Sequence, residues 1–190
     1  MTRIAIVDPQ PAVRAGLAML LRTEPGLVPI GAALGAEDGL ELVARHRPTV
    51  VLVEHHLPDG DGLSLTRRLK LLSPAPKVIV YTADPDGSLV LPARVAGADG
   101  LLDKAAPPHE LFEAIRVVAR GDTALPPIDA HDLDAAAHRI DPEDLALMAM
   151  LADGTPVVDA ADTLRLDRRK VGRRIERMLG RLRAGTPAAA

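Results

Sequence analysis

Hydrophobic and polar positions follow one rhythm up to about Gly121 and another after it. Through the first 120 residues, short apolar runs alternate with stretches whose apolar residues recur every three or four positions. "RIAIV" (3–7) is such a run, and "PAVRAGLAMLLRTE" follows with Val13, Leu17, Leu20 and Leu21 at helical spacing and Pro11 suited to a first helical turn. "GLVPIGAA" is a weaker strand before "AEDGLELVARHR", a helix with Leu40 and Val43 on one face. "TVVLV" then "GLSLTRRLKLL" repeats the unit, as do "KVIVYT" with a poor helix at 87–96 and "GLLD" with "PHELFEAIRVVARG". Five strands alternating with five helices predict an α/β domain over 1–120, a five-stranded doubly wound parallel sheet. Pro92 weakens the fourth helix, because proline inside a helix removes a backbone donor at a cost of about 3 kcal/mol.

From 121 to 139 the text is rich in Asp, Ala and Pro and reads as a linker, with a short helix at 130–138. Residues 140–183 then read as a small all-α domain. "DPEDLALMAMLADG" starts at an Asp cap with Pro142 first in the helix and stops at Gly154. "TPVVDAADTL" is a second short helix, capped by Thr155. "RRKVGRRIERMLGRLR" is capped by Asp167, with Val171, Ile175, Met178, Leu179 and Leu182 as its apolar stripe. Helix, short helix, tight turn and basic amphipathic helix is the helix-turn-helix order. Residues 184–190, "AGTPAAA", are a tail.

Charge sharpens this division. Between Arg165 and Arg183 nine Lys/Arg stand against Asp167 and Glu176, giving +7 in a chain whose formal net charge is -3, so the remainder carries -10. An acidic body with a basic, polyanion-seeking end is implied. With no Cys, thiolate metal sites and cysteine nucleophiles are excluded, and with one Tyr, one Phe and no Trp the core must be aliphatic. No run of about 18 apolar residues spans a membrane and no signal-peptide segment opens the chain, so a cytoplasmic protein is expected.

If the sheet has the switch point of its class, the carboxyl ends of the first, third, fourth and fifth strands converge on one cleft. The residues there are Asp8, Glu54, Thr82 and Lys104. "IAIVDPQPAVRAGL", "PTVVLVEHHLPDGDGL", "VIVYTA", "GADGLLDKA" and "DPEDLALMAMLADG" together resemble a two-component response regulator, a CheY-like receiver followed by a LuxR-type helix-turn-helix domain. The resemblance covers nearly the whole chain. It implies an acidic pair holding Mg²⁺ after the first strand, an Asp phosphoacceptor after the third, and Thr and Lys that bind phosphoryl oxygens.

Several positions depart from that pattern. Pro9 stands where the second acid belongs, and Glu54 stands at the phosphoacceptor position. Glu is longer by one methylene, which displaces its carboxylate by roughly 1.5 Å, and in-line transfer tolerates little misplacement. A Mg²⁺ site short of one carboxylate is weakened, so no cofactor is expected. Two readings of the cleft stay open: Glu54 pairs with Lys104 and partly imitates an activated state, or the polar residues are relics that switch nothing. Leu101 takes the place of the family's aromatic switch. His55 and His56 read as solvent-facing loop residues rather than metal ligands, and "DGDG" as a turn.

The basic helix reads as a surface for double-stranded DNA, carried by Arg168, Arg169, Lys170, Arg173, Arg174, Glu176 and Arg177. The resemblance places Gly172, Arg173 and Glu176 toward base edges, with Arg173 the guanine reader. The family's fourth, dimerising helix has no room after Arg183. Pairing is therefore expected through the receiver, the long helix or another regulator, as a homodimer or heterodimer. The function expected is a phosphorylation-independent, DNA-binding transcriptional regulator, not an enzyme. The alternative is an adaptor or small-molecule sensor that does not bind DNA alone, and RNA binding fits the helical order less well.

Overall fold

The computed structural model describes residues 1–83, 85 and 87–183, with no side-chain description for Arg168; the expected tail lies outside the described residues. Strands β1 (Thr2–Val7), β2 (Leu27–Ala33), β3 (Val50–Val53), β6 (Lys77–Thr82) and β7 (Gly100–Asp103) form one parallel sheet in the order β2-β1-β3-β6-β7. Helices α1 (Pro11–Thr23), α2 (Ala36–His46), α3 (Gly62–Lys70), α4 (Val90–Ala96) and α5 (Pro108–Arg120) cover its two faces. A hairpin of β4 (His56–Leu57) and β5 (Gly60–Asp61), which the periodicity did not announce, sits between β3 and α3.

Successive strand residues divide between two cores. Ile4, Ile6, Val50 and Leu52 pack with Leu17 and Leu21 of α1 and with Leu111 and Ile115 of α5. Ala5, Val7, Val51 and Val53 pack with Val43 of α2 and with Leu65 and Leu69 of α3. Because both faces are covered, "VVLV" reads as an unbroken apolar run rather than an alternation. Pro29 falls in the edge strand β2, beside a register irregularity, where its missing donor disturbs no inner ladder.

The fourth helix corrects the expectation at Pro92. A 3-10 turn at Gly87–Leu89 leads into α4, which makes Pro92 the third residue of that helix. The nitrogens of a first turn have no partner four residues back, so the proline removes no bond of this helix.

Beyond α5 come α6 (Ala130–Ala137), a 3-10 turn at Pro142–Asp144, α7 (Leu145–Ala152), α8 (Val157–Thr163) and α9 (Arg168–Arg183). Two caps differ from expectation. Asp141 makes no side-chain cap bond, because its carboxylate is engaged by Arg177 and Arg181, and α8 is entered through Pro156 rather than a Thr155 side-chain cap. Asp167 does cap α9, accepting from the Lys170 N–H at 2.7 Å.

The helical segment is seated on the sheet domain. Val90, Leu91, Ala93 and Val95 of α4 share one apolar cluster with Leu147, Met148 and Leu151 of α7 and with Val171, Ile175, Met178, Leu179 and Leu182 of α9. The whole predicted stripe of α9 is buried, partly against its own neighbours and partly against α4.

Candidate functional site

Four strand ends meet at the point where the order of the sheet reverses. Asp8 follows β1, Glu54 follows β3, Thr82 closes β6 and Lys104 follows β7. Backbone bonds extend the ladder into the site: the Glu54 N–H donates to the Val7 carbonyl at 2.8 Å and the Lys104 N–H to the Thr82 carbonyl at 2.8 Å. The expected constellation is therefore brought together. Asp8, Glu54 and Thr82 are only 2%, 6% and 1% exposed.

Lys104 is the hub. Its ammonium lies 2.5 Å from Oδ2 of Asp8 and 2.5 Å from Oε2 of Glu54. The remaining carboxylate oxygens are also occupied, Oδ1 of Asp8 by the Gln10 N–H at 2.8 Å and Oε1 of Glu54 by the His56 N–H at 3.1 Å. Thr82 adds a side-chain hydrogen bond to Glu54. Burial alone would raise the Glu54 carboxyl, but the bonds from Lys104, Thr82 and the His56 amide outweigh it and hold the group below the usual range. Burial would likewise lower the Lys104 ammonium, and its bonds to Asp8 and Glu54 raise it instead. Both charged forms are thus favoured at neutral pH.

This donor set does not fit Mg²⁺. The cation needs open carboxylate oxygens in octahedral array. Here an ammonium bridges the two carboxylates, their other oxygens accept backbone amides, and Pro9 supplies no acid.

The loop leaving Glu54 is held tightly. The Gly62 N–H donates to the His55 carbonyl at 2.7 Å, and a Cβ on Gly62 would lie 2.2 Å from the Glu54 carbonyl oxygen, so only glycine fits. The acids of "DGDG" act as caps rather than ligands. Asp59 accepts from the Ala36 N–H at 2.7 Å, and Asp61 accepts from the Leu63 N–H at 2.8 Å. His55 departs from the solvent-facing expectation. It is half-buried, its Nδ1 has no hydrogen-bond partner among the described residues, and burial followed by its neighbour His56 depresses its pKa.

The basic helix lies beside this loop. Arg183 at its end pairs with Asp61 at 2.6 Å, and Glu176 pairs with Arg67 of α3 at 2.6 Å while accepting from the Ser64 hydroxyl at 2.9 Å. A Cβ on Gly172 would lie 3.2 Å from Nη1 of Arg67, so this glycine also faces the receiver-like domain. Arg174 and Arg177 hold the buried Asp144, and Arg177 and Arg181 also pair with Asp141. The acids of the Pro142 turn are thereby neutralised.

Among the seven residues expected to meet DNA, Arg169, Lys170, Arg173, Glu176 and Arg177 are exposed, but Glu176 is bound to α3, and Arg174 and Arg177 serve the fold of the helical segment. The Arg168 side chain lies outside the described residues. Sequence reasoning missed Arg67, Asp61, Asp144 and Arg183 as partners. Each looks like an ordinary solvated charge, and only the fold brings it to its counterion.

With this geometry in view, comparisons with known proteins are specific. The model of the response regulator receiver domain matches residues 4–116. The DNA-binding transcriptional activator DevR/DosR of Mycobacterium tuberculosis is 30% identical, over 96% of this chain and 88% of its own. The nitrate/nitrite response regulator NarL of Escherichia coli is 26% identical, over 95% and 88%. A crystal structure of a LuxR-family two-component response regulator from Aurantimonas sp. aligns with a TM-score of 0.64 and 28% identity, covering 73% of this chain and 99% of that one. The receiver match spans more than half of the sequence and the relatives span nearly all of it: the chain belongs to the response regulator family.

Proposed function

We propose that this response regulator is a DNA-binding transcriptional regulator whose output is set without phosphoryl transfer at position 54. The first part rests on similarity to DevR/DosR and NarL across the helical segment and on the exposed Arg169, Lys170 and Arg173 of α9, cations suited to phosphate contacts and, for Arg173, guanine readout. The second part is carried by one observation, the Lys104 bridge between Asp8 and Glu54. An ammonium already satisfies the carboxylates that a metal and a phosphoryl group would need.

Incubating the purified chain with acetyl phosphate and magnesium tests this second part. No acyl phosphate is expected on Glu54, and a stable label there overturns the reading. For DNA, affinity for genomic fragments is measured against salt. A binder loses affinity linearly in log-log form with a slope set by its phosphate contacts, and Arg173→Ala weakens it.

The docking of Glu176 and Gly172 onto α3 favours a second reading, an adaptor that does not bind DNA alone. In that case no steep salt-dependent binding appears, even after the α3–α9 contact is broken. Under the first reading, DNA engages when α9 leaves α3.

A further inference from the structure

We infer that the seam between the receiver and the helical segment holds a binding site for a small amphipathic anion, an apolar body bearing one carboxylate, sulfonate or phosphate group. The seam contains a cavity of about 570 Å³, within the range of roughly 300–1,000 Å³ usual for small-molecule sites. One wall comes from the receiver, with Lys70, Lys77, Arg94 and Asp99; the other comes from α7 and α8 and their connection, with Leu151, Pro156, Val157 and Val158.

Charge decides the sign of the ligand. Lys70 and Lys77 share a single carboxylate, Asp99, at 2.8 and 3.0 Å, and one Asp99 oxygen also accepts the Val78 N–H at 2.8 Å. Two ammonium groups are thus balanced by one charge. Arg94 adds a cation with no carboxylate within ion-pair distance among the described residues. Among the described residues its guanidinium donates only to backbone carbonyls, Ala152 at 3.3 Å and Pro126 at 3.1 Å, and its buried Nε has no hydrogen-bond partner there. An anion in the cavity would supply the counterion that this guanidinium lacks. The inner wall therefore carries two uncompensated positive charges. Asp122 and Asp153 also line the cavity but are exposed, where solvent screens them.

Apolar lining supplies the rest. Leu151 and Val157 are buried beside the cavity and Val158, 44% exposed, stands at its mouth. A ligand touching both walls binds only while the helical segment is seated, so by linkage it holds the two together. The site is separate from the Asp8–Glu54–Lys104 cluster, and its test needs no DNA.

The test uses the full chain and a matched pair of probes, 8-anilinonaphthalene-1-sulfonate and the uncharged N-phenyl-1-naphthylamine, titrated by fluorescence and calorimetry. The sulfonate is expected to bind at one saturable site, about tenfold or more tighter than the uncharged probe, as a charge-assisted contact implies. Arg94→Gln should weaken the sulfonate about tenfold, and Val158→Trp, which fills the mouth from an exposed position, should abolish binding while the circular dichroism spectrum stays native. Absence of a saturable site, equal affinity for the two probes, or unchanged binding in the Val158→Trp variant overturns the proposal. Should Arg94→Gln fail to fold, the probe pair and Val158→Trp still decide it. Loss of DNA binding alone would leave all of these readouts untouched.

Discussion

Glu176 of α9 lies 2.6 Å from the Arg67 guanidinium of α3, so a residue expected from the sequence to face base edges is held by the chain's own receiver. The Ser64 hydroxyl adds a second bond to the same carboxylate. The pair is partly exposed, so it contributes on the order of 1 kcal/mol or less and acts with the apolar cluster beneath it.

If DNA engagement requires α9 to leave α3, Arg67→Ala should strengthen binding to cognate DNA by a few-fold, within the tenfold that about 1.4 kcal/mol allows. Fluorescence anisotropy with a labelled fragment reads this directly. Unchanged affinity would mean that α9 reaches DNA without parting from α3.

Lys104→Met should be the most damaging change at the strand-end cluster. It leaves two buried carboxylates facing one another with no counterion, a loss of about 3–5 kcal/mol. Adding Glu54→Gln to that variant removes one of the stranded charges and should restore part of the loss. Urea unfolding of the single and double variants measures both.

Stability should follow pH in a defined way. Glu54, held below its usual range, contributes above about pH 4–5 and loses that contribution as pH falls through its lower folded value. Lys104, held above its usual range, contributes below about pH 10 and loses it only as pH rises further. His55 is favoured neutral in the fold, so its protonation costs stability as pH falls below about 6.5. Thermal melts should therefore show a plateau between about pH 7 and 10, and His55→Gln should flatten the first acid step.

Gly62→Ala should cost about 1–3 kcal/mol, because the added Cβ meets the Glu54 carbonyl at 2.2 Å and backbone cannot swing aside as a side-chain tip can. Displacement of that carbonyl should also disturb the Glu54 side chain. A shift in the Lys104 ammonium resonance would report it.

Much of the receiver was legible from periodicity alone. Both faces of β3 are covered, so "VVLV" reads as a strand without alternation, and the residue after it falls at the switch point where Glu54 is found. The stripe of α9 was equally plain, since Val171, Ile175, Met178, Leu179 and Leu182 recur at helical spacing and are buried together. What that stripe packs against was not. Periodicity identifies a buried face but names no partner, and α4 supplies part of the cover. The roles of Arg174 and Arg177 were hidden for a related reason: a run of arginines looks uniform until Asp144 is folded beneath two of them.

The seating of α7 and α9 on α4 also changes what another molecule can do there. Any visitor seeking α4 must outcompete a tethered occupant, whose effective concentration there is fixed by the chain and does not fall as the protein is diluted. Weak visitors are thus turned away by the chain's own carboxyl-terminal helices, and access to that face becomes a matter of opening rather than of encounter.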